Sequence, residues 1–156
     1  MSSKDESLLA DLASLIPGYG AYREHESRRE DDRLTREFLG KRITDCKSQL
    51  DAMAAAAANA GDLELPSRLE KLRKQLDLAQ NRIASAVEGY SGWFNQRNVD
   101  TKTLEQVAKL DSNLVSVVDQ IDQLCRSEPV DPQKVQESLE LLHQRIDRRC
   151  DVLKNA

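Results

Sequence analysis

An apolar side chain returns every three or four positions through four long stretches of this chain. The first set is Leu39, Ile43, Cys46, Leu50, Met53 and Ala57, and the second Leu65, Leu69, Leu72, Leu76, Ile83, Val87 and Tyr90. The third is Leu104, Val107, Leu114, Val118, Ile121 and Cys125, and the fourth Val135, Leu139, Leu142, Ile146, Cys150 and Leu153. An α-helix turns once in about 3.6 residues, so each set falls on one stripe of a helix and must be covered by another stripe. Four such stripes define an all-α fold whose core is helix against helix. No segment reads as a strand, and no repeat is evident beyond the helical period.

Turn and cap chemistry divides the chain. Ser7 to Ile16 reads as a short amphipathic helix with Leu8, Leu9, Leu12, Leu15 and Ile16 near one face, ended by Pro17-Gly18. A second helix is expected from near Tyr19 to about Asn59, with Gly61 as its stop. Ser67 with Glu70 makes a capping box after Leu65-Pro66, so the third helix is expected to start near Ser67 and fade at Gly89. Gly89 to Phe94 reads as a loop. Asp100 or Thr101 caps the next helix, which ends near Arg126, and Asp131-Pro132 opens a last one that runs to about Lys154. Short connections favour antiparallel neighbours. The expected fold is therefore an antiparallel up-down-up-down four-helix bundle of long helices over residues 19–156, one domain. Residues 1–18 form a short amphipathic N-terminal helix and Pro-Gly turn before it.

The first bundle helix is expected to be overlong. Between Tyr22 and Leu34 stand only Arg23, Glu24, His25, Glu26, Ser27, Arg28, Arg29, Glu30, Asp31, Asp32 and Arg33, with no apolar side chain. Opposite charges recur at helical spacing, as in Glu24 with Arg28, Arg28 with Asp32, Asp32 with Arg36 and Arg33 with Glu37. Each such pair adds about 0.2–0.5 kcal/mol, and a set of them sustains an exposed helix. The stretch is expected to project from the bundle by roughly 22 Å. It reads either as a solvated face of mixed charge or as a docking arm for an acidic partner.

Antiparallel packing brings the start of that helix beside the Gly89–Phe94 segment. Tyr19, Tyr22 and Phe38 then gather with Tyr90, Trp93 and Phe94, and these six are all the aromatic residues of the chain. Aromatic side chains are enriched at binding hot spots, so this end is the best candidate contact surface. The alternative is an aromatic plug that closes the bundle end, with the short first helix folded over it. The candidate partner-binding residues are Tyr19, Tyr22, Arg28, Arg29, Tyr90, Trp93 and Phe94.

Composition removes several functional classes. The chain has 156 residues, 39% of them hydrophobic and 32% charged, enough to bury a core without disulfides or metals. Its net charge of −4 gives no global field for nucleic acid or anionic lipid. The flanks of the first helix carry Asp5, Glu6 and Asp11 beside Lys4, unlike an interfacial membrane helix. Three cysteines lie on apolar stripes, which reads as buried thiols in a reducing compartment. With no signal-like leader and no membrane-spanning run, a cytoplasmic location is expected. His143, Cys46, Cys125 and Cys150 are the right residue types for zinc, yet no CxxC or HxxxH pair marks a site. A Cys–His nucleophile, a Glu-x-x-His di-iron pair and a phosphate-binding glycine loop are likewise unmarked. No catalytic residue, metal or cofactor is expected.

Leu15-Ile16-Pro17-Gly18-Tyr19, Tyr22-Arg23-Glu24, Arg28-Arg29-Glu30 and Gly89-Tyr90-Ser91-Gly92-Trp93-Phe94 are similar to the words of a family of small, uncharacterised bacterial α-helical proteins. The resemblance spans most of the chain, implies a bacterial source and carries no activity with it. The expected function is a non-catalytic interaction, scaffold or adaptor protein that presents its aromatic end and charged arm to a protein partner or to a second copy. Leu78, Leu110, Val115 and Leu141 widen the apolar faces, which suits a coiled-coil-like contact between chains. The alternatives are a lipid- or nucleic-acid-associated regulator using Arg23, Arg28, Arg29 and Arg33, and a metal-binding or enzymatic bundle.

Overall fold

A computed structural model describes residues 3–20, 27–86 and 91–155. Six helices account for nearly all of them: α1 (Ser3–Leu15), α2 (Arg28–Asn59), α3 (Glu64–Ser85), α4 (Ser91–Asn95), α5 (Thr101–Arg126) and α6 (Pro132–Asn155). Among the described residues there is no strand. The apolar stripes close on one another. Leu39, Ile43, Cys46 and Leu50 of α2 are buried with Leu69, Leu72, Leu76 and Ile83 of α3. Val107, Leu114, Val118, Ile121 and Cys125 of α5 meet Val135, Leu139, Leu142, Ile146 and Leu153 of α6 in the same core. Each large aliphatic side chain taken from water contributes about 1.5–3 kcal/mol, so these stripes carry the stability of the fold. Val87 and Tyr90, the last members expected on the second stripe, lie outside the described residues.

The four long helices form a ring in which α2 packs against α3 and α5, and α6 packs against α5 and α3. Contacts along α2 and α3 count in opposite directions: Arg36 donates to the Ala84 carbonyl, Gln80 to the Gly40 carbonyl, and Lys47 to Asp77. This pair is antiparallel, as its short connection requires. Against α5 the order is the same on both helices, Arg42 to Asp119 and then Cys46 to Asp122, so α2 and α5 run parallel. The chain thus reaches from α3 to the far side of α2, where an all-antiparallel neighbour order was expected, with α4 inside the connection.

Helix ends follow their local chemistry, with two shifts. The Asp100 carboxylate accepts the Thr103 N–H at 2.7 Å, and Asp131 accepts from Gln133 and Lys134 ahead of Pro132, both as the caps predict. Gly61 has φ of 84°, and Gly61 and Asp62 return their N–H groups to Ala58 and Ala57, a left-handed stop for α2. α3 begins at Glu64, ahead of the expected Ser67. Asp62 accepts the N–H groups of Glu64 and Leu65, and Pro66 sits in the first turn, where no intrahelical donor is needed. The Gly89–Phe94 loop is corrected in its described part, since Ser91–Asn95 is helical.

The expected overhang is at the wrong end. Tyr19 and Gly20 are not helical, and α2 starts only at Arg28. Its first turns bury Arg28, Asp31, Asp32 and Thr35, so this stretch is interior. The under-covered part is the other terminus: beyond Leu50 no α2 side chain is fully buried, over about 13 Å of helix. The first helix also finds its place. α1 packs on α5, with Leu12 and Ile16 buried and Leu8 and Leu9 half-buried against the common core.

Candidate functional site

The seam of α2 does not stop at Leu39. Continued backward at helical spacing it meets Thr35, Asp32, Asp31 and Arg28, polar groups at positions that face inward. α5 and α6 place a charge on their stripes at the same level, Asp111 and Arg149, each within a few per cent of full burial. Arg149 donates from Nε to Asp111 at 2.7 Å and from its terminal nitrogen to Asp32 at 2.9 Å. Arg36 donates to the second Asp32 oxygen at 2.8 Å. The Tyr19 hydroxyl donates to the other Asp111 oxygen at 2.8 Å, and Asp31 accepts the Gly20 N–H at 3.2 Å. A charged layer thus crosses the bundle from α2 through α6 to α5 and ties down the segment behind α1. Burying ions costs several kcal/mol each unless geometry and hydrogen bonds compensate, and here Asp32 and Asp111 each accept from two donors.

The aromatic residues sit beside this layer. Trp93 and Phe94 on α4 are buried, as is Tyr19. Arg28 lies 5.1 Å over the Trp93 ring and donates to the carbonyls of Trp93 and Gln96, a cation at the C-terminal end of the short helix. Burial lowers its pKa, though a guanidinium stays charged. Arg29 is exposed and stacks 4.6 Å over Phe94. Phe38 is half-buried under Arg42. Of the seven expected contact residues, Tyr19, Arg28, Trp93 and Phe94 are interior, Arg29 is outward, and Tyr22 and Tyr90 lie outside the described residues. So do Arg23, Glu24, His25 and Glu26. A partner could touch the interior four only by opening this end. Of the layer's key members, Asp32 falls in the run that reads as a charged arm, while Asp111 and Arg149 are charges on stripes defined by their apolar members.

The remaining chemistry is dispersed. Arg33 is held at the surface by Glu30 and by Glu37 at 2.7 Å, and Glu30 is lowered in turn by its hydrogen bond from Arg33. Cys46 of α2 and Cys125 of α5 are both buried, and the neighbouring Cys125 thiol together with burial pushes the Cys46 thiol up. Cys150 is half-buried elsewhere, between α6 and α3. The Nδ1 of His143 lies 3.0 Å from an Arg82 nitrogen, and burial with the nearby Arg82 charge lowers its pKa. Among the described residues no three His, Cys, Asp or Glu side chains group as metal ligands.

Among the described residues, two grooves with apolar floors stay open. At the α2–α3 turn, Leu63 is 84% exposed. Alongside it, Leu50, Ala54, Pro66 and Leu69 floor an open groove of about 520 Å³ rimmed by Asp51, Glu70, Arg73, Lys74 and Asp77. Between α5 and α6, Leu110 and Leu141 floor a second groove of about 230 Å³ with Asn113, Gln144, Arg145 and Arg148 around it. No described helix is long and apolar enough to cross a membrane. Comparison with known proteins returns nothing similar: no family model, no curated protein and no solved structure matches the chain.

Proposed function

We propose that this chain is a non-catalytic interaction module, a scaffold or adaptor built on an up-down-up-down four-helix bundle. Its contact surface is the α2–α3 tip. The single observation that carries the reading is Leu63, a large aliphatic side chain 84% exposed at a helical turn. It stands among the half-buried Met53, Ala54, Ala57 and Leu65 and beside a groove with an apolar floor and a charged rim. Apolar centres with polar rims are the anatomy of protein contacts. The ion-laced aromatic end serves as the lock that holds the module rigid. The Arg-based reading for lipid or nucleic acid is less favoured, because of its four arginines Arg28 is interior and Arg33 is paired with Glu30 and Glu37, while Arg29 stays outward and Arg23 lies outside the described residues.

The test is affinity capture from lysate with wild type and Leu63→Asp side by side, read by mass spectrometry. The reading expects a protein lost from the variant while its melting curve stays put. Identical captured sets would refute it.

A further inference from the structure

The outward face of α6 carries a stripe at heptad spacing: Lys134, Glu137, Leu141, Gln144, Arg148 and Asp151. All are exposed except Leu141, which is half-buried and forms one wall of the α5–α6 groove with Leu110. The charged members are not committed inside the molecule. Among the described residues, Lys134, Glu137, Arg148 and Asp151 make no ion pair, and Glu137 is held only by a long contact from Gln133 at 3.4 Å. Most neighbouring helices spend their arginines internally, as Arg36, Arg42, Arg73, Arg82 and Arg126 do.

The order of charges along this stripe is self-complementary under reversal. An antiparallel pairing about a two-fold axis between Leu142 and His143 sets Lys134 of one copy against Asp151 of the other. It sets Glu137 against Arg148, and Leu141 against Gln144. Each crossing occurs twice, because a two-fold interface is isologous. These are the facing layers of an antiparallel coiled coil, where the two seam positions of one helix meet those of the other in opposite order. A parallel pairing would instead stack Glu137 on Glu137 and Arg148 on Arg148. The two half-buried Leu141 side chains fall next to the axis, above the groove walled by Leu110, Arg145 and Arg148.

We infer that α6 is a homodimer interface, taking a second copy of this chain antiparallel across the Lys134–Asp151 stripe. The contact is charged at its ends and holds uncharged Leu141–Gln144 crossings at its centre, so charge fixes the register and salt weakens the association. It is independent of the α2–α3 tip, and Leu63→Asp leaves it intact.

The test is a charge swap read by sedimentation equilibrium at low ionic strength. The proteins are wild type, Glu137→Arg, Arg148→Glu and the double variant. Wild type is expected as a dimer that dissociates when salt is raised. Each single reversal puts like charges at two crossings and gives a monomer, and the double variant restores opposite charges and the dimer. All four positions of the charged crossings are exposed, so helical content and melting should not move. A wild type that is monomeric at every concentration, single reversals that stay dimeric, or a double variant that stays monomeric would each overturn the inference.

Discussion

Arg149→Met removes the cation at the centre of the buried layer while keeping most of its volume. Arg149 is 4% exposed and donates to Asp111 at 2.7 Å and to Asp32 at 2.9 Å. Asp32 keeps Arg36 at 2.8 Å, and Asp111 keeps the neutral Tyr19 hydroxyl but loses the guanidinium. Breaking a buried pair by deleting one partner costs about 3–5 kcal/mol, because the other ion stays desolvated. With roughly 2.1 cal/mol/K of unfolding entropy per residue, a chain of this length loses about 3 °C of melting temperature per kcal/mol, hence ~9–15 °C. Thermal unfolding followed by far-UV circular dichroism and by the fluorescence of Trp93, which is the chain's one tryptophan, reads the change globally and at the site. The triple variant Tyr19→Phe, Asp111→Leu, Arg149→Met removes the stranded groups together. It should regain most of the loss, since replacing a whole buried ion set with apolar groups is often neutral or stabilising by about 1–4 kcal/mol. A single variant that melts within about 3 °C of wild type would refute the claim that the layer is a coupled, desolvated set.

Further outcomes follow from local chemistry. Asp131→Ala deletes the cap of α6 and should cost about 0.5–2 kcal/mol in urea unfolding, with the denaturant slope unchanged. Gly18→Ala should cost more than Gly61→Ala. Both glycines have positive φ, but a Cβ at Gly18 would stand 3.2 Å from a Leu34 methyl, whereas none lies within 4 Å at Gly61. His143 has a folded pKa below its ordinary 6.5, so the unfolded chain binds the proton first. Stability from this group is full above that value and falls as pH drops through it toward the folded pKa. His143→Gln should flatten the melting profile there, and an unchanged slope between pH 7.5 and 5.5 would contradict the assignment.

The core was legible because periodicity needs only residue type and spacing. Of the stripe members described, Met53, Ala57, Leu65, Leu104 and Cys150 are half-buried and the rest are buried. Caps at Asp100 and Asp131 and the stop at Gly61 were legible for the same local reason. The polar residues were not. Arg28, Asp31 and Asp32 look like a solvated run along one helix, and only partners on other parts of the chain, at α4, behind α1 and on α6, account for their inward places. Asp111 four residues after Val107, and Arg149 three after Ile146, occupy stripe positions, and opposite charges on facing stripes were the signal that could have disclosed the layer. Helix order around the ring was hidden too, since loop length says which helices follow one another and not which side of α2 the chain returns to.

The charged layer joins groups separated by 92, 38 and 117 positions along the chain. A ribosome delivers those groups one after another. Until α6 emerges, Asp32 and Asp111 lack Arg149, and Tyr19 docks on an Asp111 carboxylate that has yet to meet its cation. The start of α2 therefore gains its α6 partner last, although it is made early. Asp32 and Asp111 reach their full set of donors only when α6 docks, so the layer makes the fit of the last long helix a condition for settling the first turns of α2.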